Sequence, residues 1–278
     1  MADVIADDNP GPDAGCDPWR GLRRFTTARI ALGHTGVSQL TAAQLEFQLA
    51  HARARDAVYR ALDTDALARS LAATWPDLPP ALVLHSAAEN RNVYLQRPDL
   101  GRRLDARSRA LLSARHGEDS GTRPYDMAIV IADGLSALAV EQHAGPLLQA
   151  LRARLAVETW TLAPIAIAEQ GRVAVGDEIG ELLGAKMVLV LIGERPGLSS
   201  PDSMGMYMTW MPQAGLTDER RNCISNVRPA GLGFDEAAAR LHHLLREGRR
   251  LELTGVGLKD ETCVADAFAH GGAPSFLL

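Results

Sequence analysis

The pattern of hydrophobic positions changes character near the middle of the chain. From Thr41, apolar residues recur at helical spacing (Phe47, Ala50, Ala54, Ala57, Val58, Ala61, Leu62), with His51, Arg53, Arg55 and Arg60 between them. This predicts a long amphipathic helix capped by Thr41. A second helix is expected over Thr64 to Thr74, stopped by Trp75-Pro76 and the Pro79-Pro80 pair. Phe25 to Gly36 reads as a short helix or turn, and residues 81 to 115 show no convincing period-two strand. The N-terminal portion is therefore expected to be mostly helical.

Beyond Gly117 to Pro124, a linker by composition, short apolar runs alternate with helical patterns. Met127 to Ala132 reads as a buried strand and Asp133-Gly134 as a turn, with a helix over Leu135 to His143. Gly145-Pro146 is expected to break that helix, with Pro146 in the first turn of a new one lined by Leu147, Leu148, Leu151 and Leu155. A strand at Ile165 to Ala168 and a helix from about Val173 to Leu183, stopped by Gly184, follow. Met187 to Ile192 is apolar without alternation, as in a strand buried on both faces. Met206 to Met211 is a further strand. A last helix is expected to be capped by Asp235, lined by Ala238, Leu241 and Leu245, and ended by Gly248. Alternating strands and helices imply an α/β chain with a mostly parallel, doubly wound sheet. The expected organisation is a disordered acidic tail over 1–18, a helical domain over 19–116 and a sheet domain over 117–278.

Charge and composition narrow the function. The chain has 278 residues, a net charge of −5 and a pI near 5.9, which disfavours non-specific nucleic-acid binding. Seven arginines between Arg91 and Arg115 could form an anion-binding face, but their interleaving with Leu104, Leu111 and Leu112 favours a solvated, partner-facing surface. Cys16, Cys223 and Cys263 lie far apart, with no CxxC pair, so neither a disulfide framework nor a zinc site is indicated. No apolar run approaches the roughly 20 residues of a membrane helix, and the first residues lack the features of a secretory signal. The expected location is the cytosol, either free or inside a protein-shelled microcompartment.

The usual catalytic signatures are missing: no phosphate loop, no complete GxGxxG, no HExxH, no GxSxG, and no DxHxxG histidine to replace a corrinoid's lower ligand. His242 and His243 read as solvated. The expected sheet nevertheless brings four segments to its carboxyl edge: Asp133-Gly134 with Ser136, Gln170 to Val173, Glu194 to Gly197, and Asn222 to Asn226. A few carboxylates, polar amides and a helix N-terminus suit a large, neutral, amide-rich ligand better than a phosphate cluster. At Glu194-Arg195 the competing reading is an ordinary surface turn with an exposed ion pair.

LIGERPGLSSPDS from Leu191, RNCISNVRPAGL from Arg221 and LTGVGLKDE from Leu253 resemble the small subunit of ethanolamine ammonia-lyase. FTTARIALG from Phe25, HARARDAV from His51, HSAAENRNVYLQRPDLGRRL from His85 and YDMAIVIADGLSA from Tyr125 agree with it, and the chain departs from the family pattern at His34 and Ala50. The resemblance implies a helical N-terminal part and a Rossmann-like domain. It further implies a hetero-oligomer with a larger barrel subunit that holds ethanolamine, and adenosylcobalamin between the two. It carries cofactor contacts onto Val173, Glu194 and Cys223, with no catalytic or metal-ligating residue in this chain. Packing remains the alternative role for Val173, and a small buried apolar position the alternative for Cys223. On the residues alone, a stand-alone nucleotide or corrinoid sensor and an RNA-binding protein using the Arg91 to Arg115 stretch stay open.

Overall fold

A computed structural model describes residues 18–116 and 125–259. The acidic tail, Cys16, the 117–124 linker and Cys263 lie outside the described residues.

An arm that begins with a 3-10 helix (Pro18–Phe25) leads into a small antiparallel ladder of β1 (His34–Thr35) and β2 (Ser38–Gln39), then α1 (Thr41–Tyr59) and α2 (Thr64–Thr74). Thr41, expected to cap α1, is instead its first residue; the cap position is the apolar Leu40, which offers no acceptor, whereas Asp63 caps α2 by accepting from Ala66 N at 2.8 Å. The chain continues through β3 (Leu82–His85), α3 (Arg91–Gln96), a 3-10 turn at Leu100–Arg102, and α4 (Ala106–His116). Then come β4 (Tyr125–Ala132), α5 (Ala137–Leu155), β5 (Ala166–Glu169), α6 (Val175–Leu182) and β6 (Ala185–Gly193). The last elements are β7 (Met204–Trp210), β8 (Arg221–Val227) and α7 (Phe234–Leu251).

Six strands form one sheet in the order β3-β5-β4-β6-β7-β8. The first four run parallel, while β7 is antiparallel to both of its neighbours. Successive side chains of β4 and β6 serve two cores. Met127, Ile129, Ile131, Leu189 and Leu191 meet Leu147, Leu148 and Leu151 of α5 and Leu241 and Leu245 of α7. Ala128, Val130, Val188 and Val190 face the other way, onto Leu112 of α4 and Val175 and Ile179 of α6. Both faces being covered, these strands read as unbroken apolar runs. The sheet is thus doubly wound, with α5 on one face and α6 on the other.

Four further expectations need correction. Residues 81 to 115 do contain a strand: β3 is short and sits at the sheet edge, with the burial alternating over only four residues. Pro146 does not break α5. Buried residues on both sides of it, Val140 and His143 before and Leu147, Leu148 and Leu151 after, dock on the same face, and this packing outweighs the missing N–H. Asp235 lies in the first turn of α7 rather than at its cap, which is Gly233, and the helix passes the buried Gly248 to end at Leu251. Asn222 to Asn226 is not a loop but the body of β8.

Candidate functional site

The neighbours β4 and β5 send their following helices to opposite faces of the sheet, so a crevice opens between their carboxyl ends. The crevice opens into a hollow of about 320 Å³, lined by Tyr94, Gly134, Leu135, Arg172, Val173, Ile192, Gly193, Glu194, Arg195 and Tyr207.

Its floor is built by close approach of two strand ends. Leu135 N donates to Gly193 O at 2.9 Å, and Ser136, the N-cap of α5, donates its hydroxyl to Pro201 O at 2.8 Å. Asp133, only 2% exposed, ties β4 to the next loop: Oδ1 accepts from Gly171 N at 3.0 Å and Oδ2 from Arg91 Nη1 at 3.3 Å. Burial pushes its carboxyl up to about 6, although the Arg91 guanidinium and backbone N–H groups pull it the other way. The same Arg91 donates to Gly134 O at 2.8 Å, Gln170 Oε1 at 3.3 Å and Val58 O at 2.6 Å, so one guanidinium gathers α1, β4 and β5. Tyr94 is fully buried, donates to Gly171 O at 3.2 Å, and carries Arg91 and Arg172 over its ring at 4.7 and 4.2 Å. Burial raises its phenol well above the usual tyrosine range.

The structure brings Val173 and Glu194 into this one hollow. Glu194 does not pair with Arg195. Its Oε2 accepts from the Ser203 hydroxyl in a short bond and from Asn226 N at 3.2 Å, while Oε1 has no partner among the described residues. The surface-turn reading of this pair is therefore set aside. Val173 precedes α6, which starts at Val175. Its side chain packs on the second core, and its N–H has no acceptor among the described residues. Cys223 does not line the hollow, but it is the direct cross-strand partner of Tyr207, which does. Its thiol is exposed, 3.3 Å from Ser225 Oγ, so the buried-apolar alternative fails. Burial, a hydrogen bond to Cys223 and the Glu194 charge together raise the Tyr207 phenol.

Of the four segments expected at the carboxyl edge, three converge there. The fourth reaches it only through Asn226, while Asn222, at the start of β8, is fastened to Gly255 and Leu258 on other elements. Arg91, Tyr94, Ser203 and Tyr207 are the site residues that the sequence pattern did not reveal, whereas Arg172 falls within the expected Gln170 to Val173 segment. Arg91 read as one of a run of solvated arginines, and a tyrosine on a six-residue helix carries no periodic signal. His242 is not solvated but half-buried beside Glu158, 3.4 Å away.

Chemically, the hollow offers one open carboxylate oxygen, an unused backbone N–H, the Tyr207 phenol and two guanidiniums, the Tyr94 hydroxyl being buried and already donated to Gly171 O. Its lining holds no nucleophile paired with a general base, and no cluster able to hold a metal ion occurs among the described residues. No helix among them is long and apolar enough to cross a membrane.

Comparison with known proteins gives a consistent picture. A family model described as ethanolamine ammonia-lyase light chain (EutC) matches residues 16–259. The ethanolamine ammonia-lyase small subunit of Azotobacter vinelandii is 57% identical over 263 residues, covering 94% of this chain and 96% of the relative. That of Pseudomonas putida strain GB-1 is 54% identical over 264 residues, 95% of this chain and 94% of the relative. A Pseudomonas aeruginosa small subunit is 57% identical over 251 residues, 90% of each.

Proposed function

The chain belongs to the ethanolamine ammonia-lyase light-chain (small-subunit) family, and from that membership we propose that it is the cofactor-supporting subunit of an adenosylcobalamin-dependent enzyme that converts ethanolamine to acetaldehyde and ammonia. Its partner is the large subunit, which holds the substrate.

The observation that carries this reading is the shared hollow of Val173 and Glu194, with Tyr207 leading from it to Cys223. A corrin ring is edged with carboxamides. The open Oε1 of Glu194 suits an amide N–H, and the unused N–H of Val173 suits an amide oxygen. At about 320 Å³ the hollow is smaller than a corrinoid and can seat only one edge of it, which fits a seat completed by another polypeptide. When bound, the cofactor supplies the radical chemistry. This chain's residues bind and orient: Ser203 and Asn226 fix the Glu194 rotamer, and the Arg91–Asp133 network holds the floor. The large subunit would find exposed apolar side chains on the arm and α1, where Phe25, Leu45, Phe47 and Leu49 are exposed by 45 to 72%.

In the complex assembled with the large subunit, Glu194→Ala should weaken cobalamin binding by roughly 1.5–3 kcal/mol, about 10- to 150-fold, the worth of a charge-assisted hydrogen bond. Corrin absorption during titration reads this directly, and unchanged affinity would remove Glu194 from the seat. Supplied with ethanolamine and adenosylcobalamin, the chain alone should release no ammonia. Turnover by the isolated chain would contradict the division of labour.

A further inference from the structure

A larger hollow, about 620 Å³, borders the site along one stretch of backbone: Arg172 and Val173 line the site, and Ala174 lines this second space. Arg172 N donates to Gly101 O at 2.7 Å, which fastens the Leu100–Arg102 turn against the same stretch. Arg102, Arg103, Arg109 and Arg221 line the hollow, with Asp99, Glu178 and Asp218.

The carboxylates are already engaged. Asp99 is held by Arg97 through two bonds of 3.0 and 2.8 Å. Glu178 accepts from Arg109 Nε at 2.7 Å and from Leu104 N at 2.8 Å. Asp218 accepts from Arg221 Nη1 at 2.7 Å, and the buried Asp177 pairs with Nη2 of the same arginine. The guanidiniums of Arg102 and Arg103 have no hydrogen-bond or ion-pair partner among the described residues; both residues bond only through their backbones. Arg221, whose side chain is 2% exposed, keeps a buried Nε–H with no acceptor. An unmatched guanidinium N–H is a costly vacancy for a buried donor. Four guanidiniums line the hollow against three carboxylates, and the outlying Arg97 and Asp177, which pair with Asp99 and Arg221, cancel each other, leaving one surplus positive charge.

We propose that this hollow binds a single phosphate group, held by Arg102, Arg103 and the free Nε–H of Arg221. One surplus charge suits a phosphodiester or a phosphate monoanion and disfavours a polyphosphate. Two sources share that chemistry. One is the phosphodiester in the nucleotide tail of a cobalamin seated on the far side of the Arg172–Ala174 wall, a source that rests on the proposed function. The other is free phosphate.

The test compares the unmodified complex with Arg102→Gln/Arg103→Gln and with Arg107→Gln, an exposed arginine of α4 outside the hollow. Each complex is titrated in phosphate-free buffer with cyanocobalamin and with dicyanocobinamide, which lacks the phosphate-bearing tail. Phosphorus NMR of the unassembled full chain follows inorganic phosphate. For a tail phosphate, the double variant loses about tenfold or more in cobalamin affinity, keeps its cobinamide affinity, and Arg107→Gln changes neither. For free phosphate, the double variant loses phosphate binding that the unmodified chain shows, with both corrinoid affinities intact. A double variant that alters neither overturns the proposal. An unmodified complex that takes up no corrinoid would refute the proposed function instead, and the phosphate measurement would still decide this one.

Discussion

Replacing Arg91 by methionine is expected to destabilise the chain by about 3–5 kcal/mol at pH 8 and by much less at pH 5, as read from urea unfolding. The loss comes from Asp133, which is buried and would keep only backbone N–H partners, Gly171 N at 3.0 Å foremost. Its carboxyl sits at about 6 in the folded chain, above the roughly 3.9 of an unfolded aspartate. A folded-state value raised in this way means the native chain holds the proton more tightly than the unfolded one. Below about pH 4 the group is protonated in both states and costs nothing; as pH rises through 6, the folded form must carry a buried charge, and stability falls. Arg91 opposes that fall, so its removal pushes the carboxyl higher still and widens the gap between pH 5 and pH 8. Adding Asp133→Asn to the Arg91→Met chain should recover most of the pH 8 loss, since an amide oxygen can still accept from Gly171. Equal losses at both pH values, or no recovery with asparagine, would show that Arg91 acts through its other bonds to Val58, Gly134 and Gln170.

Arg91 also shows where the sequence stops being legible. Within the stretch from Arg91 to Arg115, seven arginines look alike, yet the structure separates them. Arg91 is nearly buried at the site, Arg97 and Arg109 are paired, and Arg102 and Arg103 are unpaired beside a hollow. Periodicity reports which face of a helix is apolar. It cannot report which charge meets a carboxylate some forty or seventy residues away, as Arg91 meets Asp133 and Arg109 meets Glu178. The strands β4 and β6 were readable because burial on both faces leaves an unbroken apolar run. β8 was not, because only Arg221, Ile224 and Val227 are buried; Cys223, Ser225 and Asn226 face outward, and the run looks like a polar loop.

The antiparallel direction of β7, by contrast, was present in the spacing. Ten residues separate β6 from β7, with no helix among them, and a parallel crossover needs a dozen or more. Much the same holds for the ten residues from β7 to β8. The candidate residues follow the same logic. Glu194 and Val173 sit in loops just past strand ends, where a doubly wound sheet collects ligands, so topology alone brings them together. Cys223 joins them only through the register Tyr207↔Cys223, which depends on a strand pairing the pattern does not encode.

The contact that makes this edge a hollow is between two glycines, and Gly193→Ala should remove both. A Cβ on Gly193 would lie 2.0 Å from Ser136 O and 2.6 Å from Asp133 O. A Cβ on Gly134, whose φ is +56°, would meet Gly193 O at 2.2 Å. These neighbours are backbone atoms at the end of β4 and the cap of α5, so no rotamer change relieves the clash. The two strand ends must separate, breaking Leu135 N to Gly193 O and shifting Glu194, the next residue. The expected stability loss exceeds the roughly 1–3 kcal/mol of ordinary overpacking, and corrinoid affinity of the assembled complex should fall further than in Glu194→Ala, because the floor moves as well as the carboxylate. Gly197→Ala is the matched control. Its new methyl would approach the Ser200 hydroxyl at 2.5 Å, a group that can rotate away, so stability and affinity should stay close to those of the unmodified chain. If Gly193→Ala behaves like Gly197→Ala in thermal unfolding and in corrinoid titration, the close approach of the two strand ends is not what shapes the site.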